Sequence, residues 1–357
     1  MEQIHHAELD ARGPQRRGHP VNGHCCYNSS RPLGVRRCSD DDSWRPPQGA
    51  HQPTEIMRVR GWAPLRYACA QGLDGLVEWI VSEASPDPDD VRSHDNYALR
   101  AACAAGSLEI AKFLTDKFGL TADDARTYDS DTLRFACKGG YLKLAQWLTS
   151  RFSLTAGEDA RARDNEAFRA ACAGGHLEVA RWLTGQFGLT ADDARACSNF
   201  ALRHACKNGH ADLVMWLANT FGLSADDARA DDNWALRSAC AQGHLNVADA
   251  LTTKFGLAAD DARAHDNEAL RFACRDNQLT TARWLTHQFG LTGADARSRG
   301  NYALRKACRK GHIEVVQWLA DTYGLAPENV RASDEDLGLI AAMTDYYRAG
   351  DPGGSRK

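Results

Sequence analysis

The stretch FLTDKFGLTADDARTYDSDTLRFACKGGYLKLAQWL, Phe113–Leu148, returns with variations along most of the chain. FGLTADDARA recurs at Phe187, FGLSADDARA at Phe221, FGLAADDARA at Phe255 and FGLTGADARS at Phe289. Each is followed by ALR, a free position, then AC. Cysteine marks the phase most simply. Cys69, Cys103, Cys137, Cys172, Cys206, Cys240, Cys274 and Cys308 stand 34 residues apart, with one spacing of 35 where Gly157 is inserted. A chain of 357 residues would otherwise suggest two or three globular domains. A fixed period means stacked units that share one continuous core.

The local physics of one unit can be read directly. In NYALRAACAAG, Leu99, Ala102, Cys103 and Gly106 fall at i, i+3, i+4 and i+7, the apolar stripe of a short helix. Asn96 is placed to cap it, and Gly106 to turn the chain. In LEIAKFLTDKFGL, Ile110, Ala111, Leu114 and Phe118 form the stripe of a second helix. Gly119 then ends it, with Leu120 folding back as in a Schellman motif. The LTADDAR phrase has the spacing of a capping box, Thr121 with Asp124. Thr190 with Asp193, Ser224 with Asp227 and Thr292 with Asp295 repeat it, and Asp87-Pro88-Asp89-Asp90 solves the same problem differently. The spacing predicts a third, one-turn helix in each unit and no strand.

GWAPLRYACAQG at Gly61 resembles the ankyrin-repeat phrase G-x-T-P-L-H-x-A-A-x-x-G, and GHLEVARWL at Gly175 and GHIEVVQWL at Gly311 resemble its second helix. The likeness covers both main helices of eight units, Gly61 to Leu325. It resembles a divergent branch of the family, of the kind found in large DNA viruses and protists. Two features differ from the family pattern. Arg replaces the family's His at Arg66, Arg100, Arg134, Arg169, Arg203, Arg237, Arg271 and Arg305, and the capped short helix replaces the β-hairpin. The fold expected is therefore all-α: a right-handed solenoid of eight ankyrin-like repeats over 55–332. Residues 1–54, which hold most of the proline, are expected to be disordered, 333–349 to form a capping helix and 350–357 a disordered tail.

Several function classes are disfavoured. A net charge of −4 lacks the basic excess of a nucleic-acid binder. Neither a membrane span nor a secretory leader is visible, so an intracellular protein, cytoplasmic or nuclear, is expected. Aligned cysteines of neighbouring units would lie roughly 10 Å apart, beyond the reach of about 7 Å for a disulfide. They read as small buried hydrophobes. His19, His24, Cys25, Cys26 and Cys38 fit no zinc-ligand spacing. The repeated His176, His210, His244 and His312 read as turn-packing elements, and no catalytic motif occurs. The expectation is a non-enzymatic, monomeric scaffold for a protein partner, without cofactor or metal. A substrate-recruiting adaptor of a ubiquitin-ligase-type complex is the alternative.

Two expectations concern side chains. The repeated Arg sits near a helix N-terminus, where the macrodipole disfavours it, and should be compensated by the Asp of the preceding short helix, as Arg134 by Asp124. The helix face opposite the stripe varies from unit to unit and carries aromatics. Tyr67, Tyr97, Phe135, Phe200, His204, Trp234, Phe272 and Tyr302 are expected to line a concave, solvent-facing surface and bind the partner.

Overall fold

The computed structural model describes residues 62–325. The expected disordered N-terminal segment, capping helix and C-terminal tail lie outside the described residues, as do the outer ends of the 55–332 array. Eight helical pairs follow one another, and among the described residues there is no strand. First helices are Ala63–Gln71, Thr127–Lys138, Ala162–Gly174, Ala230–Gln242 and Ser298–Arg309. In three repeats the short helix runs into the first, as Pro88–Ala105, Ala191–Lys207 and Ala259–Arg275. Second helices are Asp74–Ala84, Leu108–Phe118, Leu142–Phe152, Leu177–Phe187, Ala211–Thr220, Leu245–Phe255, Leu279–Phe289 and Ile313–Tyr323. Each first helix packs on the first helix of the next repeat and on its own second helix. The fold is an all-α solenoid.

The core is the expected stripe. Leu99, Ala102 and Cys103 on one helix, and Ile110, Ala111 and Leu114 on the other, are all buried. The eight aligned cysteines are buried, and none is in a disulfide among the described residues. Burial pushes the Cys69 thiol up to about 12 and those of Cys103, Cys137, Cys172, Cys206, Cys240 and Cys274 higher still, so none of these seven is a ready nucleophile. Gly119 ends its helix at φ 61°, and the Leu120 N–H donates to Thr115 O at 3.1 Å, the Schellman bond.

The short helices form as the capping residues demand. Asp124 accepts from the Thr121 N–H at 2.8 Å and Asp90 from the Asp87 N–H at 3.1 Å. The inserted Gly157 is absorbed by widening one turn into the π turn Ala156–Ala160. Asp159, now four residues after Thr155, still accepts from the Thr155 N–H at 2.6 Å.

Between short and first helix the chain makes an unexpected turn. Three successive residues take left-handed φ: 94–96, 128–130, 163–165, 197–199, 231–233, 265–267 and 299–301. All but Gly300 carry a side chain, and each such residue costs about 1–2 kcal/mol relative to the right-handed basin. This corrects the capping role expected of Asn96. An N-cap needs extended backbone, whereas Asn96 sits at φ 55°. Its Nδ2 donates to Thr127 Oγ1 at 3.0 Å and its Oδ1 accepts no hydrogen bond.

The expected pairing of Arg134 with Asp124 is also corrected. Arg134 bonds Asp131 in its own helix, 3.0 Å from Nε to Oδ1. Elsewhere the repeated Arg turns back on the left-handed turn. Arg237 Nε donates to Asp232 O and Nη2 to Asp231 O, both at 2.8 Å. Arg100, Arg169, Arg203, Arg271 and Arg305 make the equivalent pair of bonds. Backbone carbonyls of the turn, rather than the carboxylate of the preceding short helix, thus help to offset the cation at the helix N-terminus. They also explain why a strained turn persists.

The Asp of the short helix is held instead by the Arg of the previous repeat's LTADDAR phrase. Nε–Oδ1 distances are 3.1 Å for Arg92–Asp124 and Arg126–Asp159, 3.0 Å for Arg161–Asp193, 2.9 Å for Arg195–Asp227, 2.7 Å for Arg229–Asp261 and 3.0 Å for Arg263–Asp295. Burial works against the charge of Asp193, but bonds from Arg161, the Thr190 N–H and Asn165 outweigh it and hold its carboxyl below the usual range. Asp227, Asp261 and Asp295 are depressed in the same way.

A candidate protein-docking face

The first-helix face carries three columns of side chains, one residue per repeat in each. The inner column reads Tyr97, Asp131, Glu166, Phe200, Trp234, Glu268 and Tyr302 from the second repeat onward. Its variety has a structural cause. Every member meets the repeated Arg of the preceding repeat. Arg100–Asp131 and Arg134–Glu166 approach to 3.4 Å, and Arg237–Glu268 to 2.5 Å. Where the partner is aromatic the guanidinium lies over the ring. Arg66 is 5.7 Å from Tyr97, Arg169 4.9 Å from Phe200, Arg203 5.1 Å from Trp234 and Arg271 5.0 Å from Tyr302. A carboxylate or a π face satisfies the same cation.

This changes the reading of four candidate residues. Phe200 was expected to face solvent and is buried, 3% exposed, with His204 stacked on it at 3.8 Å between ring centroids. Tyr97, Trp234 and Tyr302 are half-buried against the seam between repeats. The reason is first-helix stacking, which lays each inner-column side chain against the neighbouring repeat. The signal was present in the sequence: the column uses an alphabet of acids and aromatics, all of them acceptors for Arg.

The two outer columns lack that restriction. One reads Tyr67, Ala101, Phe135, Ala170, His204, Ser238, Phe272 and Lys306, and the other Ala70, Ala104, Lys138, Ala173, Lys207, Ala241, Arg275 and Arg309. Through the seventh repeat they alternate. Large rings stand in odd repeats, with Lys or Arg beside them from the third onward, and Ala or Ser in even ones. Ala101 and Ala170 are buried, so the even repeats form floors between ridges. Tyr67 is 60% exposed, while Phe135, His204 and Phe272 are half-buried. Arg134 and Arg275 lie over Phe135 and Phe272 at 4.4 and 3.8 Å. The four outer-column candidates therefore come together on one face, with the four inner-column ones along its edge.

At its centre, burial lowers the His204 pKa to about 4, with the charges of Lys207, Arg203 and Arg169 acting in the same direction. The imidazole is neutral at pH 7 in a cationic environment. The repeated histidines at the end of the first helix do other work. His176 Nε2 donates to Lys138 O at 3.0 Å and His312 Nε2 to Arg275 O at 3.0 Å, each crossing to the previous repeat. A Cβ on Gly140, at φ +76°, would lie 2.4 Å from the His176 ring.

The opposite, second-helix side carries a shallow groove of about 550 Å³ lined by Gln146, Thr149, Ser150, Ser153, Leu154, Trp182 and Gln186, with no charged side chain. Among the described residues no helix is long and apolar enough to cross a membrane.

Comparison with known proteins agrees with the repeat reading. Models of ankyrin repeats match residues 167–261, as three copies, and 270–320. No curated protein matches. Among solved structures it is similar to the human ASB11 ankyrin repeat domain. That likeness has 22% identity and a TM-score of 0.44, and covers 59% of this chain and 91% of that one.

Proposed function

Since this chain is an ankyrin-repeat protein, we propose that it is a non-catalytic scaffold whose first-helix face holds one protein partner. Repeats of this family are protein–protein interaction modules, and the choice of face is our own reading. The observation that carries it is the alternation of the outer columns. Interior packing and the Arg seam account for the other positions of the first helix, but not for ridges of Phe135, His204 and Phe272 over alanine floors. Half-exposed rings flanked by cations are the side chains that dominate protein interfaces. The partner contacts Tyr67, Phe135, His204 and Phe272 directly, with Tyr97, Trp234 and Tyr302 at the edge and Phe200 beneath. The adaptor alternative depends on residues after 332, outside the described residues, and nothing on this face favours it.

Site-specific photocrosslinking tests the choice of face. Benzoylphenylalanine placed at Phe272 should capture a discrete protein in cells, and the same group at Trp182, in the second-helix groove, should not. Capture at Trp182 alone would move the docking face to the second helices.

A further inference from the structure

The face also has a charge pattern, and it is uneven. Its carboxylates are already taken. Asp131 is paired with Arg100 and Arg134, Glu166 with Arg134 and Arg163, Glu268 with Arg237, and Asp276 with Arg275 and Lys310. Lys138 and Lys207 form no ion pair among the described residues. They stand on the two ridges either side of the fourth-repeat trough, whose floor is Ala170, Ala173 and Gly174. Arg169, at the head of that trough, spends Nε and Nη2 on backbone carbonyls and forms no ion pair with a carboxylate among the described residues. Stacked helices lie about 8–10 Å apart, so the two ridges are roughly 20 Å apart at the backbone. Lys138 is exposed, and Lys207 Nζ lies 6.0 Å from the Trp234 ring centroid, on the sixth-repeat side. Turned inward, the two lysines would leave a gap about one peptide strand wide.

We propose, building on the docking-face reading above, that this trough takes an acidic, extended segment of the partner protein. Its carboxylates sit on Lys138 and Lys207, and small or apolar side chains lie on the alanine floor between Phe135 and His204. Neither lysine has a counter-charge among the described residues, so an acidic ligand supplies complementarity that the fold leaves unmade. A nucleic-acid strand suits the site less well. It presents a phosphate about every 3.4 Å per strand in a duplex and needs closely spaced cations. Here the two lysines stand two repeats apart, and the ring of Phe200 is buried rather than open for base stacking.

The test uses the full chain and two labelled probes at low salt. One is a fluorescein-labelled peptide of Glu-Glu-Leu repeats about 18 residues long, and the other an oligothymidylate of matching charge. The peptide should bind saturably, and K138E/K207E should weaken it about tenfold or more. K143E/K254E, an equal charge change on the second helices, should leave it within about twofold, with melting temperatures monitored for all variants. Equal binding by wild type and K138E/K207E would overturn the proposal. So would tighter binding of the oligothymidylate, which would make the face a nucleic-acid site. The two readings fail separately. A partner crosslinked at Phe272 but indifferent to K138E/K207E sinks the acidic segment and leaves the face standing. Capture at Trp182 alone removes the face itself.

Discussion

The inner and outer columns of the first-helix face lie side by side and both change at every repeat, yet for different reasons. The inner column runs Tyr, Asp, Glu, Phe, Trp, Glu, Tyr, and each residue receives an Arg from the repeat before. The outer pair alternates large or charged with small, and none of its floor residues is required by the seam. Variation within a repeat array therefore does not by itself mark a binding surface. Variation confined to one chemical alphabet signals a contact inside the molecule; variation without one is where an outside partner has room to act.

Acid should have the largest effect, on contacts between repeats that belong to neither column, because it reaches the Arg–Asp pairs of the short helices all at once. Asp193, Asp227, Asp261 and Asp295 have folded-state pKa values below the ordinary 3.8. A carboxyl depressed on folding contributes stability that is complete above its unfolded pKa, and loses it as pH falls through the folded value. The urea midpoint should hold from pH 7 to about 5 and fall steeply below about 4. A midpoint unchanged down to pH 3 would mean these carboxylates contribute nothing to folding.

Single substitutions should follow in order. Glu268→Lys sets a cation against the buried Arg237 and should cost about 3 kcal/mol, as for a buried pair that loses one partner. Trp234→Ala removes a half-buried ring and the face on which Arg203 lies, and should cost about 2 kcal/mol. Glu268→Phe exchanges one kind of Arg acceptor for the other and should stay within about 1 kcal/mol of the parent. If chemical denaturation shows it as damaging as Glu268→Lys, the shared alphabet is not what the inner column obeys. Tyr67→Ala, at an exposed outer position, should change stability by no more than about 0.5 kcal/mol.

Much of this was legible in the residues. The cysteine phase, the FGL termini and the capping boxes announce helices and their ends through local rules, and all three are in the structure. The left-handed turns were not legible. Asp-Asn, Asp-Ser and Ser-Asn pairs tolerate such a backbone singly, but three in a row without glycine are stabilised by Arg side chains about five residues further on. Nor does sequence spacing reveal which Arg reaches which Asp. That depends on the offset between stacked repeats, so Asp124 goes to Arg92 and Arg134 turns elsewhere. The same offset buries Phe200, which a single-helix wheel places on the open side.

The comparison of the two columns is tested most directly by one paired measurement. Two triple-alanine variants, Tyr67/Phe135/Phe272 from the outer column and Tyr97/Trp234/Tyr302 from the inner, are assayed for melting temperature and for recovery of the bound partner from cells. The account predicts that the outer variant melts within about 4 °C of the parent and loses the partner. The inner variant should melt well below it. An outer variant that melts low while still retaining its partner would show those rings to be core, and would contradict the account.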